Sequence, residues 1–248
     1  MAIHSPVSTA LPAPAGMRER LIVALDVSSA GEAQNLVSRI GDAAGIYKVG
    51  LQLFTAEGPS VVRDLIHSGR RVFLDLKLHD IPTTVALAVK SAVDMGAHML
   101  TVHASGGATM LRAATEAAAG RLSILAVTVL TSLDDANMQE IGVSGRVSDQ
   151  VLRMSALAQS AGCQGIVTSP REASIVRKTL GEGFAIVTPG VRPAGSDSND
   201  QQRTATPAQA ISNGASHIVV GRPITHAPDP AKAAETIISE MQQARNSR

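Results

Sequence analysis

Eight short runs of nearly continuous apolar residues recur along the chain, over 21–26, 46–50, 71–77, 98–103, 122–128, 164–168, 184–188 and 217–221. They are rich in β-branched residues and lack strict alternation with polar positions, the pattern of strands covered on both faces. Between them, apolar residues return at helical spacing in Ala-rich stretches over 31–40, 83–95, 108–119, 147–161, 171–180 and 230–244. Alternating strands and helices imply repeated βα units, a parallel sheet and right-handed crossovers. Eight such units in about 230 residues predict a single-domain α/β fold, a TIM (β/α)8 barrel. The barrel is expected over residues 18–248, with 1–17 as an N-terminal extension.

Local punctuation agrees with this division. Pro82 suits a first helical turn after Asp80, while Ser169-Pro170 and Asp229-Pro230 each offer a capping side chain before a proline. Gly69, Gly96, Gly162 and Gly214 mark helix ends. Two connections exceed the usual length, 131–146 after the fifth strand and 189–207 after the seventh. Loops of that length in a compact domain are characteristic of lids and binding loops.

Composition narrows the function. The chain has 248 residues, and its 22 Lys and Arg against 21 Asp and Glu give a net charge of +1. With no Trp, one Tyr and three Phe, it offers neither a broad basic footprint nor aromatic platforms for bases, which argues against nucleic-acid binding. The single cysteine, Cys163, cannot form an intrachain disulfide and reads as core filler in a reducing compartment. The first 16 residues contain Pro6, Pro12 and Pro14 and lack a basic segment followed by an unbroken apolar one, so no signal peptide is expected. No window approaches a transmembrane helix. A cytoplasmic enzyme is the expectation.

In a barrel of this kind, reactive groups gather at the carboxyl ends of the strands. Charges there are few: Asp26 ends the first strand, Lys48 lies in the second, and the third ends Phe73-Leu74-Asp75-Leu76-Lys77. Period-two geometry puts Asp75 and Lys77 on the side of Phe73, with Val72, Leu74 and Leu76 facing the helices. Asp80 follows in the loop and completes Asp75-x-Lys77-x-x-Asp80. Alternating Asp and Lys from adjacent strands can satisfy one another, and charges packed so closely at a catalytic face mark function more often than structure. His103 reads instead as a satisfied core histidine or one that supports the site from behind. At the other end of the chain, Gly221-Arg222 and Thr188-Pro189-Gly190-Val191-Arg192-Pro193 end the last two strands. There glycine admits backbone N–H groups, and arginine offers a bidentate fork to phosphate.

The segment Leu74-Asp75-Leu76-Lys77-Leu78-His79-Asp80-Ile81-Pro82-Thr83-Thr84 resembles the signature of the orotidine 5′-phosphate decarboxylase family, of the bacterial type. The likeness runs from the first strand through Val219-Val220-Gly221-Arg222-Pro223-Ile224. Asp-x-Lys-x-x-Asp is shared with a wider group, whereas the Asp-Ile-Pro continuation and Val187-Thr188-Pro189-Gly190-Val191-Arg192-Pro193 are more specific. The resemblance implies cofactor-free and metal-free loss of carbon dioxide from orotidine 5′-phosphate to give UMP, the last step of pyrimidine biosynthesis. It implies that Lys77 donates the proton, with Asp75, Lys48 and Asp80 completing the charge network and Asp80 arriving from the other subunit of a homodimer. It further assigns Asp26 and Lys48 to the ribose hydroxyls, Thr131 to the pyrimidine edge, and Ile81 and Thr84 to the substrate, Thr84 from across the dimer. Arg192, Gln201, Gly221 and Arg222 would serve the phosphate, with 189–203 as a lid.

Two rival readings share some of these residues. A metal-dependent sugar-phosphate decarboxylase or aldolase reuses Asp-x-Lys-x-x-Asp around a divalent ion, and Asp-Ile-Pro argues against it. A catalytically silent nucleotide-binding barrel has no need for strained charges at the mouth.

Overall fold

The computed structural model describes residues 14, 16–193 and 205–246. Its centre is a closed barrel of eight parallel strands in sequence order: β1 (Leu21–Ala24), β2 (Ile46–Gly50), β3 (Arg71–Leu78), β4 (Met99–His103), β5 (Ser123–Val127), β6 (Gly165–Val167), β7 (Ala185–Thr188) and β8 (His217–Val220). Strand β8 closes on β1 through the register Ile22↔Val219. The eight expected strands are all present, most of them shorter at their ends than the apolar runs.

The continuous apolar runs have a direct cause, because each strand is buried twice. Ile22, Ala24, Ile46, Phe73, Met99, Leu125, Val187 and Val219 point inward and fill the barrel. Their neighbours in sequence, among them Val23, Tyr47, Val72, Leu74, Leu100, Ile124, Ile186 and Ile218, point outward into a second core beneath the helices. Burying both faces removes the need for polar positions except where the strands end.

Helices follow the strands as expected, and their apolar stripes explain where they lie. In Ala30–Ile40, Ala33, Leu36, Val37 and Ile40 face the sheet, and the Ser29 hydroxyl caps the first turn by accepting from the Glu32 N–H. Helix Pro82–Asp94 starts at the proline two residues after Asp80, and Pro230–Asn246 starts behind Asp229, whose carboxylate accepts from the Lys232 N–H. Gly69, Gly96, Gly162 and Gly214 all take positive φ at helix ends.

Other local expectations need correction. Ser169-Pro170 does not open a helix; Pro170 lies in a turn, and the helix begins at Ala173 behind Glu172, to which the Ser169 hydroxyl donates. The stretch between β2 and β3 holds two short helices, Leu51–Glu57 and Pro59–His67, split by Gly58. The long connection after β5 contains helix Asp135–Glu140, fixed by a capping box between Asp134 and Asn137. The connection after β7 ends in helix Pro207–Ser212 under a Thr206–Gln209 capping box, and Arg222–Thr225 adds one turn after β8. Cys163 is buried, and burial pushes its thiol up to about 12, so it is the inert core residue expected.

Candidate active site

A cavity of about 450 Å³ opens at the carboxyl ends of the strands. Its floor is the end of the inner apolar layer, including Phe73, Val127, Val167 and Val219, and its walls carry the charges. Asp26 lies two residues past the end of β1, Lys48 on β2, and Asp75 and Lys77 near the end of β3, so barrel closure brings them together from three neighbouring strands.

These four side chains form one chain of contacts. The Lys48 ammonium donates to Asp26 Oδ1 at 2.9 Å and stands 3.7 Å from Asp75 Oδ2. The Lys77 ammonium donates to the same Asp75 Oδ2 at 2.9 Å. Signs alternate along the chain, which is the arrangement that offsets the desolvation cost of Lys48 and Asp75, whose side chains are only 11% and 13% exposed. Space for the Lys48 ammonium depends on Gly50, where a Cβ would stand 2.9 Å from Nζ.

Strand β3 does not reach this geometry by simple alternation. Between the pairs Leu74↔Leu100 and Leu78↔Val102 its register shifts, and Lys77 takes φ 50, a left-handed conformation rare outside glycine. Thr101 on β4 secures the irregularity: its hydroxyl accepts from the Lys77 N–H at 2.8 Å and donates to Asp75 Oδ1 at 2.9 Å. Sequence reasoning missed Thr101; the one mark it carries there is a hydroxyl inside the apolar run of β4, and the structure buries it fully.

The rest of the wall carries Pro189, Gly190, Val191 and Arg192 after β7, and Gly221 and Arg222 after β8, with Thr131 contributed by the loop after β5. Asp26, Lys48, Asp75, Lys77, Thr131, Arg192, Gly221 and Arg222 are therefore brought to one cavity. Asp80, Ile81 and Thr84 are not; they are exposed in the loop after β3 and the first turn of the helix that follows, where Asp80 Oδ1 accepts from the Ile81 N–H. Gln201 and residues 194–204 of the expected lid lie outside the described residues. His103 is half-buried at the end of β4, 5.5 Å from the His79 ring between centroids, and does not line the cavity. Its pKa is lowered chiefly by burial, then by His79 and Lys77, against an opposing pull from Asp75. Among the described residues no three His, Cys, Asp or Glu side chains converge as a metal site.

A closed eight-stranded parallel barrel with a charged cavity at its carboxyl end places the protein in the class of TIM-barrel enzymes. Residues 19–237 match the sequence profile of the family described as Orotidine 5′-phosphate decarboxylase / HUMPS, and the chain belongs to that family. It is 50% identical over 237 residues to the orotidine 5′-phosphate decarboxylase of Moorella thermoacetica, covering 92% of this chain and 94% of that one. To the protein of the same name from Anaeromyxobacter dehalogenans it is 52% identical over 223 residues, 90% of this chain and 98% of the relative. The crystal structure of orotidine 5′-phosphate decarboxylase from Lactobacillus acidophilus superposes with a TM-score of 0.81 at 38% identity, over 90% of this chain and 99% of that one.

Proposed function

We propose that this cavity converts orotidine 5′-phosphate to UMP and carbon dioxide, without a cofactor, in the cytoplasm. The observation that carries the reading is the Asp26–Lys48–Asp75–Lys77 chain, which ends in an ammonium at a cavity also lined by two arginines. Loss of carbon dioxide from C6 of the pyrimidine leaves an electron pair in an sp² orbital with no adjacent carbonyl to spread it. The transition state therefore concentrates negative charge on one carbon, and a fixed cation beside that carbon lowers its energy most. An ammonium has three donors, and Asp75 takes one from Lys77, which leaves donors for the developing carbanion. The bond between C6 and the carboxylate carbon breaks, its electrons stay on C6, and Lys77 then delivers a proton there.

The other residues hold the nucleotide. Asp26 and Lys48 take the ribose hydroxyls, Thr131 the pyrimidine edge, and Gly221, Arg192 and Arg222 the phosphate, with Gln201 as a further phosphate ligand. Phosphate contacts remote from C6 supply binding energy that can be used to orient the reacting carbon. Asp80, Ile81 and Thr84 serve a neighbouring site across a homodimer interface. Their exposure just after β3 supports this, 65% for Ile81, as does the 59% exposure of Leu87, one helical turn past Thr83. Residues 18–248 form the catalytic domain, and the residues before them an extension.

Lys77→Ala tests this assignment, because among the described residues Lys77 is the group assigned both to offset the carbanion and to protonate it. Turnover of orotidine 5′-phosphate is expected to fall by several orders of magnitude; retention of a tenth of it, a loss of only about 1.4 kcal/mol, would show that another group does this work. The same variant reports on the shared site. Reassembled at random with Asp80→Ala chains, it should recover about one quarter of wild-type activity, since half the dimers are mixed and each of these holds one intact site. A mixture as inactive as its parents, with subunit exchange verified, places Asp80 in its own chain's site.

A further inference from the structure

Three residues of β3, Asp75 to Lys77, stand against the single residue Thr101 between the paired positions Leu74↔Leu100 and Leu78↔Val102. In a regular parallel ladder a main-chain carbonyl of β4 would receive the N–H of the facing strand. Here the Thr101 hydroxyl takes that role for Lys77, at 2.8 Å, and spends its own proton on Asp75 Oδ1, at 2.9 Å. The direction of both bonds is fixed, because an amide N–H can only donate and a carboxylate can only accept. With Oδ1 held in this way, Asp75 presents its other oxygen, Oδ2, to both lysines. Thr101 is itself fully buried and is not among the residues lining the cavity.

We propose that Thr101 is a positioning residue for the decarboxylation: its hydroxyl sets the rotation of the Asp75 carboxylate and locks the left-handed backbone of Lys77, and thereby aims the ammonium. This rests on the assignment of Lys77 as the group facing C6. A valine at the same place keeps the shape and removes both bonds, freeing the carboxylate to turn and the Lys77 backbone to relax toward an ordinary strand. Substrate contacts remain, so the loss falls on kcat rather than KM.

The experiment compares kcat and KM on orotidine 5′-phosphate for the wild type, Thr101→Val, Thr101→Ser and Thr101→Cys, each with its thermal midpoint. Thr101→Val is expected to lose about ten-fold or more in kcat with KM within about three-fold, the size expected when a hydrogen bond to a charged group is removed. Thr101→Ser, which keeps the hydroxyl and drops the methyl, should recover kcat to within about three-fold of the wild type, with Thr101→Cys, a weak donor, between the two. A folded Thr101→Val with kcat within about two-fold of the wild type overturns the proposal, as does a loss confined to KM. If the valine variant fails to fold, the serine and cysteine pair decides: equal kcat in the two shows that donor strength at this position is irrelevant. Absence of turnover by the wild type itself would remove the assigned reaction, and this role with it.

Discussion

Lys77 brings its ammonium to the cavity from a backbone that a β-strand does not ordinarily supply. Alternation along β3 correctly places Asp75 and Lys77 on the inner side with Phe73, which lies in the barrel's inner layer. It says nothing of the register shift or of φ 50 at Lys77, because a non-glycine residue in that conformation carries no mark in the sequence. The types of the charged residues were legible for a physical reason: at the ends of strands buried on both faces, a charge is conspicuous. Their partners were less so, since Thr101 is one β-branched residue among several in an apolar run. The far end of the barrel gives a residue-scale prediction that does not depend on catalysis. His217 is 3% exposed at the start of β8, and burial, with Arg20 and Arg71 nearby, lowers its pKa to about 4. The unfolded chain takes up this proton near pH 6.5 and the folded one only near pH 4, so the stability contributed above pH 6.5 is lost as pH falls through that window. The loss amounts to about 3 kcal/mol at pH 4. Urea unfolding of wild type and His217→Asn at pH 7 and pH 4 checks it; an equal drop in both proteins would show that His217 is not the cause.

Strands were easier to read than the segments that join them. Each strand is specified by a run of apolar residues that nothing else in the fold requires, and the longer helices by a stripe of buried positions, as in Ala33, Leu36, Val37 and Ile40. The pieces that escaped are one or two turns long, such as Leu51–Glu57 and Asp135–Glu140. Periods of 3.6 cannot be established over six or seven residues, and their ends are set by caps such as Asp134–Asn137 that look like ordinary loop residues. Ser169-Pro170 misled for a related reason, because a capping pair in sequence becomes a turn when its serine bonds to Glu172. Arg222 is the element-scale test of function, since it opens the single turn Arg222–Thr225 that follows β8 at the cavity. Arg222→Ala should depress kcat/KM for the nucleotide about a hundred-fold and for the nucleoside orotidine far less, because the guanidinium has a phosphate to bind only in the first. Equal losses on both substrates would give Arg222 a structural role.

At the scale of the molecule, the barrel's contribution is to bring residues more than a hundred positions apart to one opening. Closure of β8 on β1 puts Gly221 beside Ala24 and Asp26, and the succession of β1, β2 and β3 lines up Asp26, Lys48 and Asp75 in order of sequence. The site formed by the described residues is thus a consequence of strand order, while residues 194–204 lie outside the described residues. Two lysines and two aspartates cancel in charge, so the network is neutral overall, and an anionic substrate meets the arginines that line the same cavity without net repulsion from it. On the proposed reading, this arrangement decarboxylates orotidine 5′-phosphate with nothing borrowed from a cofactor or metal ion. Purified protein, incubated with that nucleotide in the presence of a strong chelator and followed by the change in pyrimidine absorbance, should convert it fully to UMP at the rate seen without chelator. No conversion, or conversion that stops on chelation and returns with a divalent metal, would contradict the account.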